Sequence, residues 1–321
     1  MKRLGLIAGL LFAVLGVAAI YAVSQLGSAT IREETSFIIP AGASLGEVAE
    51  KLEKEGLISS AQGFRLRARL LGSSAPIQAG EFLLKPGMSQ GDILEAFQSG
   101  DVIRRFITIP EGMPSILVWE RLMAEEMLTG EIPVPPEGSI LPDTYDFERG
   151  GSRAKLVERM QAAMDRALAE EWQKRSPGIA VDTMRDALIL ASIVEKETGK
   201  PEERRMVAGL YSNRVKKGML LQADPTIIYP ITKGKPLGRR IRQSEIAAVN
   251  GYNTYTRVGL PVGPITNPGR ASIAAVMNPE PTNALFMVAD GTGGHWFADT
   301  LAEHNANVAK WYAIRRERGE M

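Results

Sequence analysis

The chain has 321 residues, of which 45% are hydrophobic, so it is long enough to bury a full core and fits two folded domains better than one. Lys and Arg together number 38 and Asp and Glu number 37, which leaves no basic excess for binding nucleic acid or an anionic surface. Because the chain has no cysteine, disulfides, zinc–thiolate sites and cysteine nucleophiles are excluded.

The N-terminal segment predicts a membrane anchor. Lys2 and Arg3 precede an uncharged stretch whose apolar part runs from Leu4 to Val23. At about 1.5 Å per residue, such a helix spans a hydrocarbon core of about 30 Å. The two basic residues predict a cytoplasmic N-terminus, a single pass through the plasma (inner) membrane, and a periplasmic or other extracytoplasmic location for the rest. Two alternatives are a buried helix and a cleaved signal peptide; GSA precedes Thr30, but signal peptides usually have shorter apolar regions.

A short phrase recurs three times after this segment. Each copy is an apolar residue, Pro, Gly and then a small residue or Pro that opens a helical pattern, and the copies begin at Ile39, Leu84 and Ile109. Proline ends a strand and glycine supplies a turn. Ser44 and Glu47 have the spacing of a capping box, and Ser89 and Asp92 repeat it. The phrases therefore predict strand–turn–helix units.

The first two phrases predict a small α+β module, together with a helical segment from Phe64 to Leu71 and a strand-like GEFLL near Gly80. This module resembles a LysM domain, the small glycan-binding fold of many cell-wall enzymes. The alternative is a structural spacer that binds no ligand.

The third phrase opens a larger region. A turn-rich stretch is followed by helical periodicity over Arg153–Trp172 and Val181–Thr198, and then by loops with short elements before a helix near Leu301–Arg318. The predicted fold class is α+β, with residues 1–30 as cytoplasmic stub and transmembrane helix, 31–105 as LysM-like module and 106–321 as a mixed α+β catalytic domain.

Asp186 to Pro230 is the most informative segment for chemistry. It predicts a helix that ends near Gly199, a second helix through Asn213 and Arg214, and a loop leading into a strand. The GTGG sequence at Gly291, further along the chain, predicts a hairpin turn.

On the first of these helices, Leu190, Ile193, Val194 and Glu197 share one face, so Glu197 prolongs an apolar stripe. Desolvation raises a carboxyl pKa, and a glutamic acid that stays protonated near neutral pH can act as a general acid.

Glu195 is the competing acid, on a stripe with smaller residues. Under a third interpretation both acids are solvated residues of a last helical turn, where Lys196 and Lys200 could pair with them. The helical periodicity favours Glu197 over Glu195.

Four ordered motifs resemble the YceG-like endolytic murein transglycosylases, and the resemblance extends from the anchor nearly to the C-terminus. The motifs are ASIVEKETG, LQADPTIIY, GYNTYTRVGLPVGPITNPG and GGHWFADTLAEHNANV. In that family a single glutamate in the E-K-E-T segment is the catalytic acid/base, and the matching residue is Glu197. The Glu197–Thr198 pair also resembles the Glu-Ser pair of lysozyme-like lytic transglycosylases.

The resemblance implies a reaction. It is cleavage of nascent glycan between N-acetylmuramic acid and N-acetylglucosamine, with formation of a 1,6-anhydro end, so the enzyme is a lyase without cofactor. It also implies work beside membrane peptidoglycan synthases and a part in terminating glycan polymerisation. One carboxyl suits this chemistry, because it can donate a proton and then accept another.

Polar residues of the other motifs suit sugar recognition. The candidate substrate-binding residues are Gln222, Asp224, Tyr252, Asn253, Tyr255, Asn267 and Asn305. Asp224 precedes a proline, a position that favours a role in forming a turn. In a hydrolase, Asp224 would instead be the second catalytic carboxylate. The histidines, His295 and His304, favour structural hydrogen bonding over a metal site.

Two alternatives to the transglycosylase remain open. One is a non-catalytic envelope scaffold that binds glycan through the LysM-like module and recruits synthases. The other is a muramidase that hydrolyses glycan with Glu197 and Asp224, whose products would incorporate oxygen from water.

Overall fold

The computed structural model describes Val14, Gly16, residues 29–72 and residues 75–320. The chain forms two compact units: residues through Arg105 together with 146–150, and residues 106–145 together with 151 to the C-terminus. Both contain helices and short strands, so the mixed α+β class is confirmed for the described residues. The predicted anchor lies outside them except for Val14 and Gly16. In the part that is described, no helix is long and apolar enough to cross a membrane.

The first unit packs three helices against an antiparallel pair of strands, β1 and β2. Its largely aliphatic core contains an aromatic cluster, in which Phe97 stacks on Phe37 at 5.6 Å between ring centroids and meets Phe82 edge-on at 4.8 Å. Its elements are β1 (Thr35–Ile39), α1 (Leu45–Lys54), α2 (Ala61–Leu71), β2 (Gly80–Leu84), α3 (Gln90–Ser99) and the first two residues of β3 (Arg104–Thr108).

The repeated phrases form strand–turn–helix units, as predicted. Ser44 begins α1 with a complete capping box, in which its backbone N–H donates to the Glu47 carboxylate at 2.7 Å. Ser89 and Asp92 repeat the arrangement at the start of α3, also at 2.7 Å. Two N–H groups that the helix itself cannot satisfy are thus paired locally at each start.

The second unit is predominantly helical. After the rest of β3 its elements are α4 (Ser115–Ala124), β4 (Leu128–Thr129), the first two residues of β5 (Thr144–Glu148), β6 (Gly151–Ser152), α5 (Arg153–Gln173), α6 (Met184–Glu197), α7 (Arg204–Lys216), α8 (Pro225–Thr232), α9 (Gln243–Ile246), α10 (Arg270–Met277), β7 (Phe286–Ala289), β8 (His295–Ala298) and α11 (Leu301–Glu317). Strand β3 pairs with β5, β4 pairs in parallel with β6, and β7 and β8 form the predicted hairpin around Gly291.

Helices α6, α7 and α10 form the centre of this unit. On α6, Leu190, Ile193 and Val194 are completely buried, as the apolar stripe predicts. Helix α7 comes close to a neighbouring loop at Gly209, where an added Cβ would lie 2.6 Å from the Glu280 carbonyl oxygen. Residues of α6, α7 and α10 thus form one closely packed core.

One predicted element is wrong. The segment after the second helix is not a strand but the helix α8. Pro225 occupies its first turn, where a missing N–H costs nothing, and Thr226 and Ile227 are buried against the core. Tertiary packing thus outweighs the strand preference of these β-branched residues.

Candidate active site

The last residue of α6 carries a desolvated carboxyl group. Glu197 Oε1 is buried and has no hydrogen-bond partner among the described residues. The pKa of Glu197 is raised from 4.5 to about 7, mainly by burial and then by the negative charge of Asp224, although the Tyr211 hydroxyl and the Arg214 guanidinium act in the opposite direction. Near neutral pH this group can therefore both donate and accept a proton.

Glu197 lines an open cleft of about 390 Å³. The end of α6 forms one side, α7 the floor, the start of α8 another side and the β7–β8 hairpin the remaining wall. The lining residues are Lys196, Glu197, Leu210, Tyr211, Arg214, Gln222, Asp224, Pro225, Ile228, Tyr255, Met287, Val288, Ala289 and His295.

Arg214 is fixed at the floor of this cleft by backbone carbonyls. Its Nε donates to the Leu285 carbonyl at 2.6 Å and its Nη1 to the Leu221 carbonyl at 2.6 Å. Its guanidinium lies 5.6 Å from the centre of the Phe286 ring. Since these contacts hold Arg214 in place, its charge acts on Glu197 from a fixed position.

Asp224 and Tyr255 form a hydrogen-bonded pair in the lining of this cleft. The Tyr255 hydroxyl donates a hydrogen bond to Asp224 Oδ1 at 2.6 Å. Gln222 has a φ of 51°, which lies in the left-handed region. This backbone conformation is energetically unfavourable for any residue other than glycine. Its backbone N–H donates to the Thr254 carbonyl at 3.1 Å. This strained backbone brings Gln222 and Asp224 to the same cleft as Glu197.

The hairpin wall is attached to the segment that follows α6. The His295 backbone N–H donates to Glu203 at 2.9 Å, and His295 Nδ1 lies 2.8 Å from the other carboxylate oxygen. Burial acts to raise the pKa of Glu203, but the hydrogen bonds from His295 prevail and lower it. Lys200 Nζ also donates to Thr292 at the hairpin tip, at 3.1 Å. The hairpin is thus positioned over the end of α6.

His295 therefore makes the structural hydrogen bonds predicted for it. His304 does not: its ring stacks on Phe286 at 5.3 Å, and its Nδ1 has no hydrogen-bond partner among the described residues. Across residues 29–72 and 75–320, no three His, Asp or Glu side chains cluster as metal ligands would.

Glu195, the competing acid, faces a loop. Its Oε2 accepts a hydrogen bond from the Gly269 backbone N–H at 2.9 Å, just before α10. It is not among the residues that line the cleft around Glu197. The two acids, although only two residues apart, therefore have different surroundings.

The sequence prediction for Asn253 and Asn267 needs correction. Both side chains are completely buried. Asn253 donates to the carbonyls of Ile246 and Ala248, at 2.9 and 2.7 Å, and accepts from the Tyr255 N–H at 2.9 Å. Its amide is fully used in holding the loop that carries Tyr255.

Asn267 is used in the same way. It donates to the Met113 carbonyl at 2.9 Å and to Ser115 Oγ at 3.0 Å, and it accepts from the Ile140 N–H at 3.0 Å. Neither asparagine has an amide group free for a sugar. Both fix loops that border the site.

Tyr252 and Asn305 also lie outside the cleft lining. The Tyr252 ring packs on Tyr229 at 4.8 Å between centroids, and Asn305 is exposed on α11. Of the predicted residues, the cleft brings together Glu197, Gln222, Asp224 and Tyr255.

The sequence analysis missed Tyr211 and Arg214 as site residues. They lie three residues apart on α7, among residues that are otherwise small or apolar and buried. The sequence signal that could have been noticed is a tyrosine and an arginine one turn apart on the helix that follows the E-K-E-T segment.

A second cleft, of about 500 Å³, adjoins the first and shares Lys196, Pro225 and Ile228 with it. Its remaining lining comes from the turn before α4, from Leu117 on α4 itself, from the segment after α8 and from Ile265 in the loop that leads to α10. These residues are Pro110, Glu111, Gly112, Met113, Pro114, Leu117, Gly234, Lys235, Pro236, Leu237 and Ile265. The two clefts form a continuous depression on either side of Lys196.

Comparison with known proteins identifies the family of this chain. An endolytic murein transglycosylase of Bacillus subtilis (strain 168) is 27% identical over 312 residues, covering 87% of this chain and 85% of the relative. One of the same name from Streptococcus pneumoniae serotype 2 (strain D39) is 29% identical over 85% of this chain but only 57% of the relative, so the chain spans little more than half of that protein.

A solved structure gives the same result. A yceG-like protein from Listeria monocytogenes is 26% identical, with a TM-score of 0.54, and covers 86% of this chain and 99% of that one. The model of the YceG-like family matches residues 37–310. Because that match spans most of the chain and both units, this protein belongs to the YceG-like family.

Proposed function

We propose that this protein is an endolytic murein transglycosylase that cuts peptidoglycan glycan strands with Glu197 as acid/base. The observation that carries the proposal is the buried Glu197 carboxyl, with its pKa raised to about 7, in a cleft beside Asp224. Relatives that match most of this chain bear the name of that activity.

The reaction needs one proton donor that becomes a proton acceptor. Protonated Glu197 gives its proton to the oxygen that links N-acetylmuramic acid C1 to N-acetylglucosamine, and this C–O bond breaks. The carboxylate then takes the proton from the muramyl 6-hydroxyl, whose oxygen bonds to C1 and closes the 1,6-anhydro ring. No water is consumed, and Glu197 ends as it began, protonated.

The other residues of the cleft support this cycle by charge and hydrogen bonding. Asp224 keeps Glu197 protonated and places negative charge near the positive charge that develops at C1. Tyr255 orients Asp224 through its 2.6 Å hydrogen bond. Gln222 and Tyr255 offer polar groups to the sugar hydroxyls, and Arg214 stabilises Glu197 once its proton has left.

A muramidase is the second candidate, because Asp224 shares the cleft with Glu197. A hydrolase would use Asp224 as nucleophile or base and add water at C1. The transglycosylase is favoured by the names of the relatives and by the hydrogen bond from Tyr255, which occupies one Asp224 oxygen.

Digestion of isolated sacculi in ¹⁸O-labelled water tests both candidates. We expect mass spectrometry to show new 1,6-anhydromuramyl ends without ¹⁸O, and Glu197→Gln to produce none while keeping its fold by circular dichroism. Reducing ends that carry ¹⁸O would establish the hydrolase instead. Sacculus binding without new ends of either kind would indicate that the protein is a non-catalytic scaffold.

We also propose a cellular setting. Residues 4–23 anchor the protein in the plasma membrane by a single pass, with a short cytoplasmic N-terminus and the bulk of the chain extracytoplasmic. Their length and the preceding Lys2 and Arg3 support this. There the enzyme would act beside peptidoglycan synthases and terminate strands. Protease treatment of intact spheroplasts should remove the C-terminal part, and full protection would contradict the topology.

Residues 31–105 are proposed to be a LysM-like glycan-binding module. Support comes from a cleft of about 320 Å³ beside the first strand–turn–helix unit, lined in part by Ile38, Pro40 and Val48. Co-sedimentation of the Glu197→Gln protein with sacculi tests it. Deletion of the module should lower the bound fraction several-fold, whereas an unchanged fraction would indicate a spacer.

A further inference from the structure

The second cleft differs chemically from the first. The first offers a tyrosine pair, a glutamine and two carboxyl groups, as sugar binding requires. The second has no aromatic ring in its lining, and most of its surface comes from aliphatic side chains and prolines such as Met113, Leu117 and Leu237. It is therefore poorly suited to a sugar ring, which is normally held by stacking and by many hydrogen bonds.

The charges of the second cleft are also informative. Glu111 pairs with Arg204 at 3.4 Å, and Lys235 pairs with Glu120. Lys196 is exposed and makes no ion pair or hydrogen bond with the residues that the structure describes. Its aliphatic chain passes the Gly112 turn, where Cδ would lie 3.8 Å from an added Cβ. The junction of the clefts thus presents one unpaired cation beside an apolar surface.

Peptidoglycan contains a group with the complementary chemistry. Muramyl residues carry a short stem peptide on their lactyl group, and this peptide combines alanine methyl groups with several carboxylates. The methyl groups suit an aliphatic cleft, and a carboxylate suits Lys196. Because the peptide branches from the sugar next to the scissile bond, it would leave the first cleft at its border.

We propose that the second cleft binds the acidic stem peptide of a muramyl residue, with Lys196 pairing with a peptide carboxylate, so that the enzyme prefers peptide-bearing strands to denuded ones. This inference rests on the proposed function. Lys196 is then a residue that determines specificity, one position before the acid/base.

The test compares kcat/KM on two glycan preparations, one with stem peptides and one from which an amidase has removed them. We expect the wild-type protein to prefer the peptide-bearing strand, and Lys196→Met to reduce that preference about fivefold, the effect of one exposed ion pair. Leu237 lines the second cleft but not the first. Leu237→Glu adds a negative charge that repels peptide carboxylates, so it should also reduce the preference for peptide-bearing strands. Lys216→Met, which removes an exposed charge of the same unit outside both clefts, is the matched control and should leave the preference unchanged.

Each outcome decides the proposal. A wild-type protein without preference, or a Lys196→Met protein with the wild-type ratio, overturns it. Equal losses on both substrates would show that the cleft binds sugar and also overturn it. A wild-type protein that cleaves neither preparation would contradict the proposed function itself, which distinguishes the two failures.

Discussion

The two clefts of the second unit share Lys196, Pro225 and Ile228 but differ in character. The same end of α6 and the same start of α8 border both. What differs is the rest of the lining, which includes Tyr211 and Arg214 of α7 in one cleft and the aliphatic turn before α4 in the other. The chemistry of a helix end is therefore set by the elements that face it, and the neighbours Lys196 and Glu197 acquire different environments.

The sharpest test of this comparison replaces each acid at the end of α6. Glu197→Gln should lower kcat by about 10³-fold or more, because it removes the proton that the reaction transfers. Glu195→Gln is the matched control, since the Glu195 carboxylate accepts a hydrogen bond from the Gly269 N–H and is not part of the lining around Glu197, and it should stay within about tenfold of wild type. The rate of anhydro-end formation measures both, and equal losses would contradict the assignment.

The walls of the second cleft depend on Asn267. Asn267→Ala should lower the free energy of unfolding by about 2 kcal/mol, because it leaves the buried N–H of Ile140 and carbonyl of Met113 without their partner. Asn305→Ala removes an exposed amide and should change it by less than about 0.5 kcal/mol. Urea unfolding measures both variants, and similar losses of unfolding free energy would show that the hydrogen bonds of Asn267 do not stabilise the fold.

Glu197 should also affect how stability depends on pH. Its pKa rises from 4.5 in the unfolded chain to about 7 in the folded protein, so the folded state retains a proton that the unfolded state releases. Stability is therefore lost as the pH rises through this range, by about 2 kcal/mol between pH 5 and 7. Urea unfolding across this range should show the loss in wild type and a smaller loss in Glu197→Gln; parallel curves would mean that the carboxyl is solvated.

The smallest expected effect tests whether Asp224 acts on Glu197 through its negative charge or only contacts the substrate. Asp224→Asn removes a charge that raises the pKa of Glu197, so the pH above which kcat/KM falls should move from about 7 to a lower value. Activity at pH 7 should fall about tenfold. Asp182→Asn, an exposed substitution outside both clefts, should leave the profile unchanged. A rate loss without a shifted profile would indicate that Asp224 only contacts substrate.

Local sequence signals predicted much of the architecture. The capping boxes at Ser44 and Ser89 fix where α1 and α3 begin, because both partners lie within one turn. The apolar stripe through Leu190 and Val194 predicted which face of α6 is buried and so pointed to Glu197. These features depend on residues close in sequence, so periodicity and spacing were sufficient.

Contacts between distant segments were not predictable in this way. Asn253 and Asn267 were expected to bind sugar, but each amide is used by backbone groups brought near it by folding, as far away in sequence as Met113. Helix α8 formed where a strand was expected, because the core buries its β-branched residues.

By itself, the sequence determined that α6 ends in an apolar stripe with an acid on it, since helical spacing requires no partner. Only the tertiary structure decided that Glu197 is the desolvated acid and that Glu195 accepts a hydrogen bond from the Gly269 loop. A carboxyl pKa responds to burial and to charges such as Asp224 and Arg214, and these come from other elements that meet Glu197 only when the chain has folded.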